Sequence, residues 1–184
     1  DLMNQWHNQD QLLLIPILTE NGERPVITAY AAVSDFAYRG RISVQEAMRS
    51  FLSQGLLGRF TCEPEEGEAV EISGLEVSCE IKKEENQPVV TVSIQGQGRL
   101  KTGQADSATE KYRLEEKLEQ GLAADLQETA GRMQEELGID MTDSYLLLGG
   151  HNRELYQEYQ GLAETYHRKV RQVFQVDIEV LNWE

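Results

Sequence analysis

Apolar residues recur every fourth position through the C-terminal half of the chain. Leu114, Leu118, Leu122 and Leu126 form the stripe, and Met133 and Leu137 extend it. Side chains four apart share one helix face, so the spacing predicts a long amphipathic helix reaching about Leu137. Ser107 and Glu110 open it as a capping-box pair, and Gly138-Ile139-Asp140 breaks it. Gly121 and Gly131 lie inside it, each about 1 kcal/mol worse than Ala; close backbone packing or a bend is expected there. Leu155, Tyr159, Leu162, Tyr166 and Val170 predict a second helix from Asn152. Val176, Ile178 and Val180 then alternate, which predicts a final strand.

The N-terminal half reads mostly as strands. Leu12-Leu13-Leu14-Ile15 predicts a buried strand ending near Pro16 or running slightly past it. Asn21-Gly22 signals a turn, and a second strand over 26–36 completes an antiparallel hairpin. Residues 38–42 lead into a helix capped by Ser43 and Glu46. Val44, Ala47, Met48, Phe51 and Leu52 share its apolar face, and Gly55 closes it. Residues 56–61 read as extended and 63–67 as an acidic turn. Val70, Ile72, Leu75, Val77 and Ile81 form one arm of the clearest β pair, with a bulge at Gly74. Residues 82–88 read as its loop, and Val90, Val92 and Ile94 as the second arm. Gly96 and Gly98 mark a bulge or the strand end, and residues 101–106 a polar linker. The sum is an α+β domain, an antiparallel sheet packed against a long C-terminal helix and shorter helices. Residues 1–11 form a lead-in segment and 12–184 the domain.

Composition narrows the function. Over 184 residues, 40% are hydrophobic, enough for a core, and no apolar run is long enough for a transmembrane helix. No signal peptide is visible, and the chain opens at Asp1, as a mature or trimmed fragment would. The net charge is −15. That surface repels phosphate backbones, which excludes nucleic-acid partners, and it disfavours anionic bilayers. The spacing of Cys62 and Cys79 fits neither a zinc knuckle nor a redox pair; two unpaired, partly buried thiols are expected, although a disulfide stays open.

No residue is assigned a catalytic, cofactor-binding or metal-binding role. His7, His151 and His167 do not have the spacing of a metal motif. His151 reads as a polar turn residue, and His167, beside Arg168 and Lys169, as a complement to a helix C-terminus. Gly149-Gly150 reads as a turn rather than an anion cradle. Glu63, Glu65, Glu66, Glu68, Glu84 and Glu85 read as solvated loop charge without EF-hand register. Tyr159 and Tyr166 fall on the leucine face and read as core. Tyr156 lies off it and is the candidate partner-binding residue.

In order, these blocks resemble the C subunit of spore germination receptors, the Ger(x)C lipoproteins, and specifically that family's C-terminal domain over residues 27–180. The matching blocks are Ala31-Ala32-Val33 with the run from Arg39 through Ala47, and the hairpin from Leu75 through Ile94. The long helix from Leu114 ending in Gly138-Ile139-Asp140 follows, and then Val176-Asp177-Ile178-Glu179-Val180. The chain departs from the family pattern in three places. Met141-Thr142-Asp143-Ser144-Tyr145 precedes Leu146-Leu147-Leu148-Gly149, the usual Trp of the following helix is missing, and the end at Trp183-Glu184 has no basic tail. The resemblance implies a non-catalytic part of a nutrient germinant receptor, partnered by membrane-embedded A and B subunits. It implies attachment to the outer face of the spore inner membrane through a lipid on a Cys far upstream of this chain. It supplies no cofactor and no catalytic residue to carry over. Two other readings stay open: an extracellular ligand- or cell-wall-binding module, and a carboxylate-based hydrolase.

Overall fold

The computed structural model describes residues 11–22, 24–64, 67–103 and 107–181. The lead-in residues 1–10, with His7, lie outside them, as do Glu65, Glu66, Trp183 and Glu184. The fold is α+β, with two sheets rather than one.

The first sheet has the order β1 (Leu13–Asn21), β2 (Arg24–Ser34), β3 (Ala37–Ile42), all antiparallel. β1 runs straight through Pro16, which pairs with Tyr30. It is an edge strand, where a residue without an N–H is tolerated. β3 replaces the expected lead into the helix. Asp35 and Phe36 both take positive φ, 52° and 57°, the sign pattern of a type I′ hairpin turn. A turn made without Gly or Asn leaves no obvious mark in the sequence. Helix α1 (Val44–Ser53) follows, and Ser43 and Glu46 form the expected capping box.

The second sheet has the order β4 (Arg59–Cys62), β5 (Ala69–Glu84), β6 (Gln87–Thr102), β7 (Arg171–Val180). β5 and β6 pair antiparallel, with the register shifting between Ser73 and Glu76 around Gly74 as expected. Their connection is only Glu85-Asn86, again with two positive φ values, so the strands extend through most of the expected loop. β6 also continues past Gly96 and Gly98 instead of ending there. A Cβ on Gly96 would lie 3.1 Å from Ile72, and one on Gly98 3.2 Å from Val70 and Val180. The glycines let neighbouring side chains close over the strand. β7 is parallel to β6, so this sheet is mixed. A parallel neighbour needs a long crossover, which the C-terminal helices provide.

That crossover begins with α2 (Ala108–Leu137), capped by Ser107 and Glu110 as its sequence predicts. One half of α2 sets Leu114 and Leu118 against Val70, Ile72, Leu100, Ile178 and Val180. The other sets Leu126, Ala130 and Met133 into the larger core with Val90, Val92 and Ile94. Two of its acids also close the β7 edge. Ile178 N donates to Glu119 Oε1 at 3.1 Å and Val180 N to Glu115 Oε1 at 2.8 Å. Those N–H groups would otherwise offer a template to another strand. At the far end, Leu137 packs where a side chain on Gly40 would stand, with Cδ2 2.5 Å from a Cβ built there. Gly40 therefore lets α2 reach the first sheet.

The second stripe is not one helix. A 3-10 turn (Ser144–Leu147) runs into α3 (Leu148–His151), α4 (Arg153–Tyr159) and α5 (Ala163–Lys169). Gly161, at φ 73°, separates α4 from α5. Leu155, Tyr159, Tyr166 and Val170 are buried, but Leu162 is 50% exposed at the break. The apolar spacing survives because each short helix keeps its own face inward. Gly121 and Gly131 have open space where a Cβ would be, so close packing does not account for them.

Candidate functional site

The densest polar constellation is built on the Gly138-Ile139-Asp140 turn. Gly138 ends α2 in the left-handed region at φ 66°, where Gly carries no Cβ penalty. Its N–H donates to Gln134 O and that of Ile139 to Met133 O. Asp140 then turns inward and is 2% exposed. Its Oδ1 accepts from Thr142 N (3.0 Å) and Thr142 Oγ1 (2.6 Å), and its Oδ2 from Ser144 N (2.8 Å) and Ser144 Oγ (2.6 Å). Four donors replace the water that the carboxylate gave up, which is what a buried charge requires.

The same segment ties three parts of the fold together. Met141 O accepts from Ser50 Oγ, Ser53 Oγ and Gln54 Nε2 at the end of α1. Leu12 N, at the start of the first sheet, donates to Asp143 Oδ1 at 3.3 Å. Ser144 Oγ shares a 2.9 Å hydrogen bond with Tyr166 OH on α5. Tyr145 OH donates to Tyr159 O and accepts from Gly161 N, bracing the break between α4 and α5. Burial and the Asp140 charge push the Tyr166 hydroxyl well above the usual phenol range. Burial, then Asp140, pushes the Cys79 thiol up to about 11. Cys62 is also raised to about 11, by burial and then Asp125. Both cysteines are free thiols, held in their protonated, unreactive form. The Asp140 site can therefore hold a shape, and its carboxylate has no lone pair left facing a substrate. The sequence carries a signal for it, an Asp followed at two and four residues by Thr and Ser, the pattern of local side-chain-to-backbone turns.

Tyr156, the candidate contact residue, is 41% exposed on α4. Its ring lies 3.7 Å from where a Cβ on Gly149 would stand, and Gly149-Gly150 lies inside helix α3 rather than in the expected turn. The acids beside it are tied back to the sheet, with Lys83 Nζ 3.2 Å from Glu154 and 2.7 Å from Glu158. Tyr159 and Tyr166 are buried and in edge-to-face contact at 5.5 Å. His151 is exposed at the end of α3. His167 does occupy the last turn of α5, but it is 4% exposed among Tyr145 and Tyr166, with Nε2 unpaired among the described residues. No group of three or more His, Cys, Asp or Glu is placed to hold a metal ion among the described residues.

Depressions among the described residues include the following. A groove of about 650 Å3 between α1, β4 and α2 is lined by Met48, Leu52, Leu57, Phe60 and Leu122, with Arg49 and Asp125 ion-paired at its wall. A pocket of about 270 Å3 opens beside the Asp140 turn, lined by Cys79, Thr142 and Leu147 among others. A pocket of about 160 Å3 lies between α2 and the start of β7, with Gln172 in its lining. Gln172 carries no signal in the sequence, because its buried position in β7 shows only after the strand is paired.

No curated protein sequence matches the chain. The crystal structure of the GerBC protein shares its fold, with a TM-score of 0.82 at 16% identity over 98% of this chain. The chain spans 59% of the length of that protein. The family model described as spore germination B3/GerAC-like, C-terminal, matches residues 53–181, a span that runs from the end of α1 through the Asp140 turn to one residue past β7. With that match over most of its length, the chain belongs to the spore germination B3/GerAC-like C-terminal family.

Proposed function

We propose that the domain is a non-catalytic part of the C subunit of a nutrient germinant receptor, and that it works by contact with membrane-embedded A and B subunits. The observation that carries this reading is the family match over residues 53–181. The geometry supports it. The densest polar cluster is spent on holding elements together, and the aromatic Tyr156 stands 41% exposed on α4, as a contact residue should. No helix among the described residues is long and apolar enough to cross a membrane. Attachment at the outer face of the spore inner membrane would come from a lipid upstream of this chain.

The test is Tyr156→Glu in the full-length subunit within spores. We expect nutrient-triggered germination to slow at least tenfold, and co-purification with the A and B subunits to fall with it. Circular dichroism and subunit abundance should stay as in the parent. Normal germination with normal subunit abundance would remove Tyr156 from the contact surface. Normal germination after deletion of the whole domain would remove the reading itself.

A further inference from the structure

The second sheet treats its two outer strands differently. At β7, Glu115 and Glu119 accept the N–H groups of Val180 and Ile178 and close the edge. β4 is the other outer strand, and it pairs only with β5. In an antiparallel pair every second residue turns its N–H and C=O away from the neighbour. Among the described residues, nothing takes up those groups of β4. The groove of about 650 Å3 runs beside this free edge. Phe60, Thr61 and Cys62 all line it, with Glu63 just past the end of the strand. Consecutive strand residues point to opposite faces of a sheet, so a groove that meets three in a row meets the strand from its side. α1 lines the same space through Val44, Met48 and Leu52, and α2 through Leu122. A strand of four residues is by itself a weak template for another chain. Apolar surface alongside makes it a stronger one.

The dimensions fit a short extended chain. Four strand residues cover about 13 Å, and the stretch from Val44 to Leu52 on α1 covers about 12 Å. Met48, Leu57, Phe60 and Leu122 are each half-buried around the groove, so they hold apolar area that an occupant can remove from water. On a strand added beside β4, alternate side chains share one face, and that face meets the groove. The charges mark one end. Arg49 and Asp125 are paired with each other, whereas Glu63 is exposed and has no partner among the described residues. In a chain of net charge −15, that end suits a cation. We propose that β4 accepts an extended segment of a partner protein, apolar at alternate positions and ending in Lys or Arg beside Glu63. The segment's backbone pairs with the free edge, its apolar side chains fill the groove, and its cation meets Glu63; this is recognition by strand addition. A second copy of this chain suits the edge less well, because two surfaces of net charge −15 repel each other. The β4 edge stands apart from Tyr156 on α4, so either surface can fail without the other.

The experiment is an NMR titration of this chain, isotope-labelled, with the acetylated and amidated peptide Val-Thr-Val-Thr-Val-Lys. The expected result is a set of amide shifts confined to residues 59–63 and the facing turns of α1 and α2, with slowed hydrogen exchange along β4. Two control peptides separate the contributions. One ends in Glu instead of Lys, and the other is N-methylated throughout and cannot donate to the edge; each should bind at least tenfold more weakly. Glu63→Lys, at an exposed position outside the strand, should invert the preference, so that the Glu-ended peptide becomes the tighter one. Met48→Glu should weaken binding at least tenfold in a chain whose circular dichroism is unchanged. An inverted preference together with sensitivity to N-methylation supports strand addition at β4. No shifts at millimolar peptide, shifts elsewhere on the chain, or binding indifferent to N-methylation, to Glu63→Lys or to Met48→Glu would each overturn it. A peptide-free chain that sediments as a dimer with β4 amides already protected would also overturn it, because a second copy then fills the edge.

Discussion

Asp140 and Gln172 are both polar and almost fully buried, at 2% and 3% exposure, yet they differ completely in how they are satisfied. Asp140 receives two backbone and two hydroxyl hydrogen bonds from its own turn. Gln172 has none among the described residues. The difference follows from charge and from locality. A buried carboxylate is tolerable only when its donors are already in place, and Asp140 carries them two and four residues away. A neutral amide is cheaper to leave unpaired than a carboxylate, so the fold can bury one without donors in place. One residue holds the architecture together through its own turn, and the other is a polar interruption in the apolar face of β7.

The sharpest way to break this contrast is to remove the carboxylate. Asp140→Ala strands two N–H and two O–H donors in the interior and should destabilise the domain by about 3–5 kcal/mol. Urea unfolding would show it as a lower midpoint at unchanged slope. A loss under about 1 kcal/mol would mean that water replaces the carboxylate and that the turn is not an anchor. Gly138→Ala asks whether the entry to that turn is equally demanding. A Cβ in the left-handed region should cost about 1–2 kcal/mol by the same measurement. Gln172→Leu should have the opposite sign, leaving the protein unchanged or up to about 1 kcal/mol more stable. A substantial loss there would show that the amide supports the fold after all.

The thiols give the smallest effect and the only one that depends on pH. Both are raised to about 11, so at pH 8 iodoacetamide should label them about 100-fold more slowly than a free cysteine. A raised folded-state pKa stabilises the native protein fully below the unfolded thiol value, near 8.5. That contribution is lost as pH rises through about 11. Rapid native-state labelling at pH 8 would contradict the environment assigned to them.

Much of the architecture was legible because its causes are local. The two capping boxes lie where Ser and Glu stand three apart, and α2 keeps its expected span because one stripe and one Gly define it. The bulge at Gly74 is equally local. What escaped depended on partners distant in sequence. β3 was hidden by a hairpin turn of Asp35-Phe36, whose strained φ values only pairing can hold. The break at Gly161 leaves a continuous apolar stripe, so periodicity could not reveal it. Tyr156 was separable from Tyr159 and Tyr166 because helical phase alone decides which tyrosines face inward. Gln172 was not, because in the sequence it is one polar residue at the head of an alternating strand.

The sequence by itself determined the α+β class, the two capping boxes, the inward face of α2 and the net charge of −15. Each of these follows from periodicity, capping or charge, which are properties of neighbouring residues or of the whole composition. Only the tertiary structure decided that β7 lies parallel to β6 and that Glu115 and Glu119 close its edge. It also joined α1, the first sheet and α5 through the Asp140 turn, and brought Gln172 and Gly131 to the lining of one depression. Each of those depends on groups dozens of residues apart meeting within hydrogen-bond or van der Waals range, and no local pattern encodes that distance.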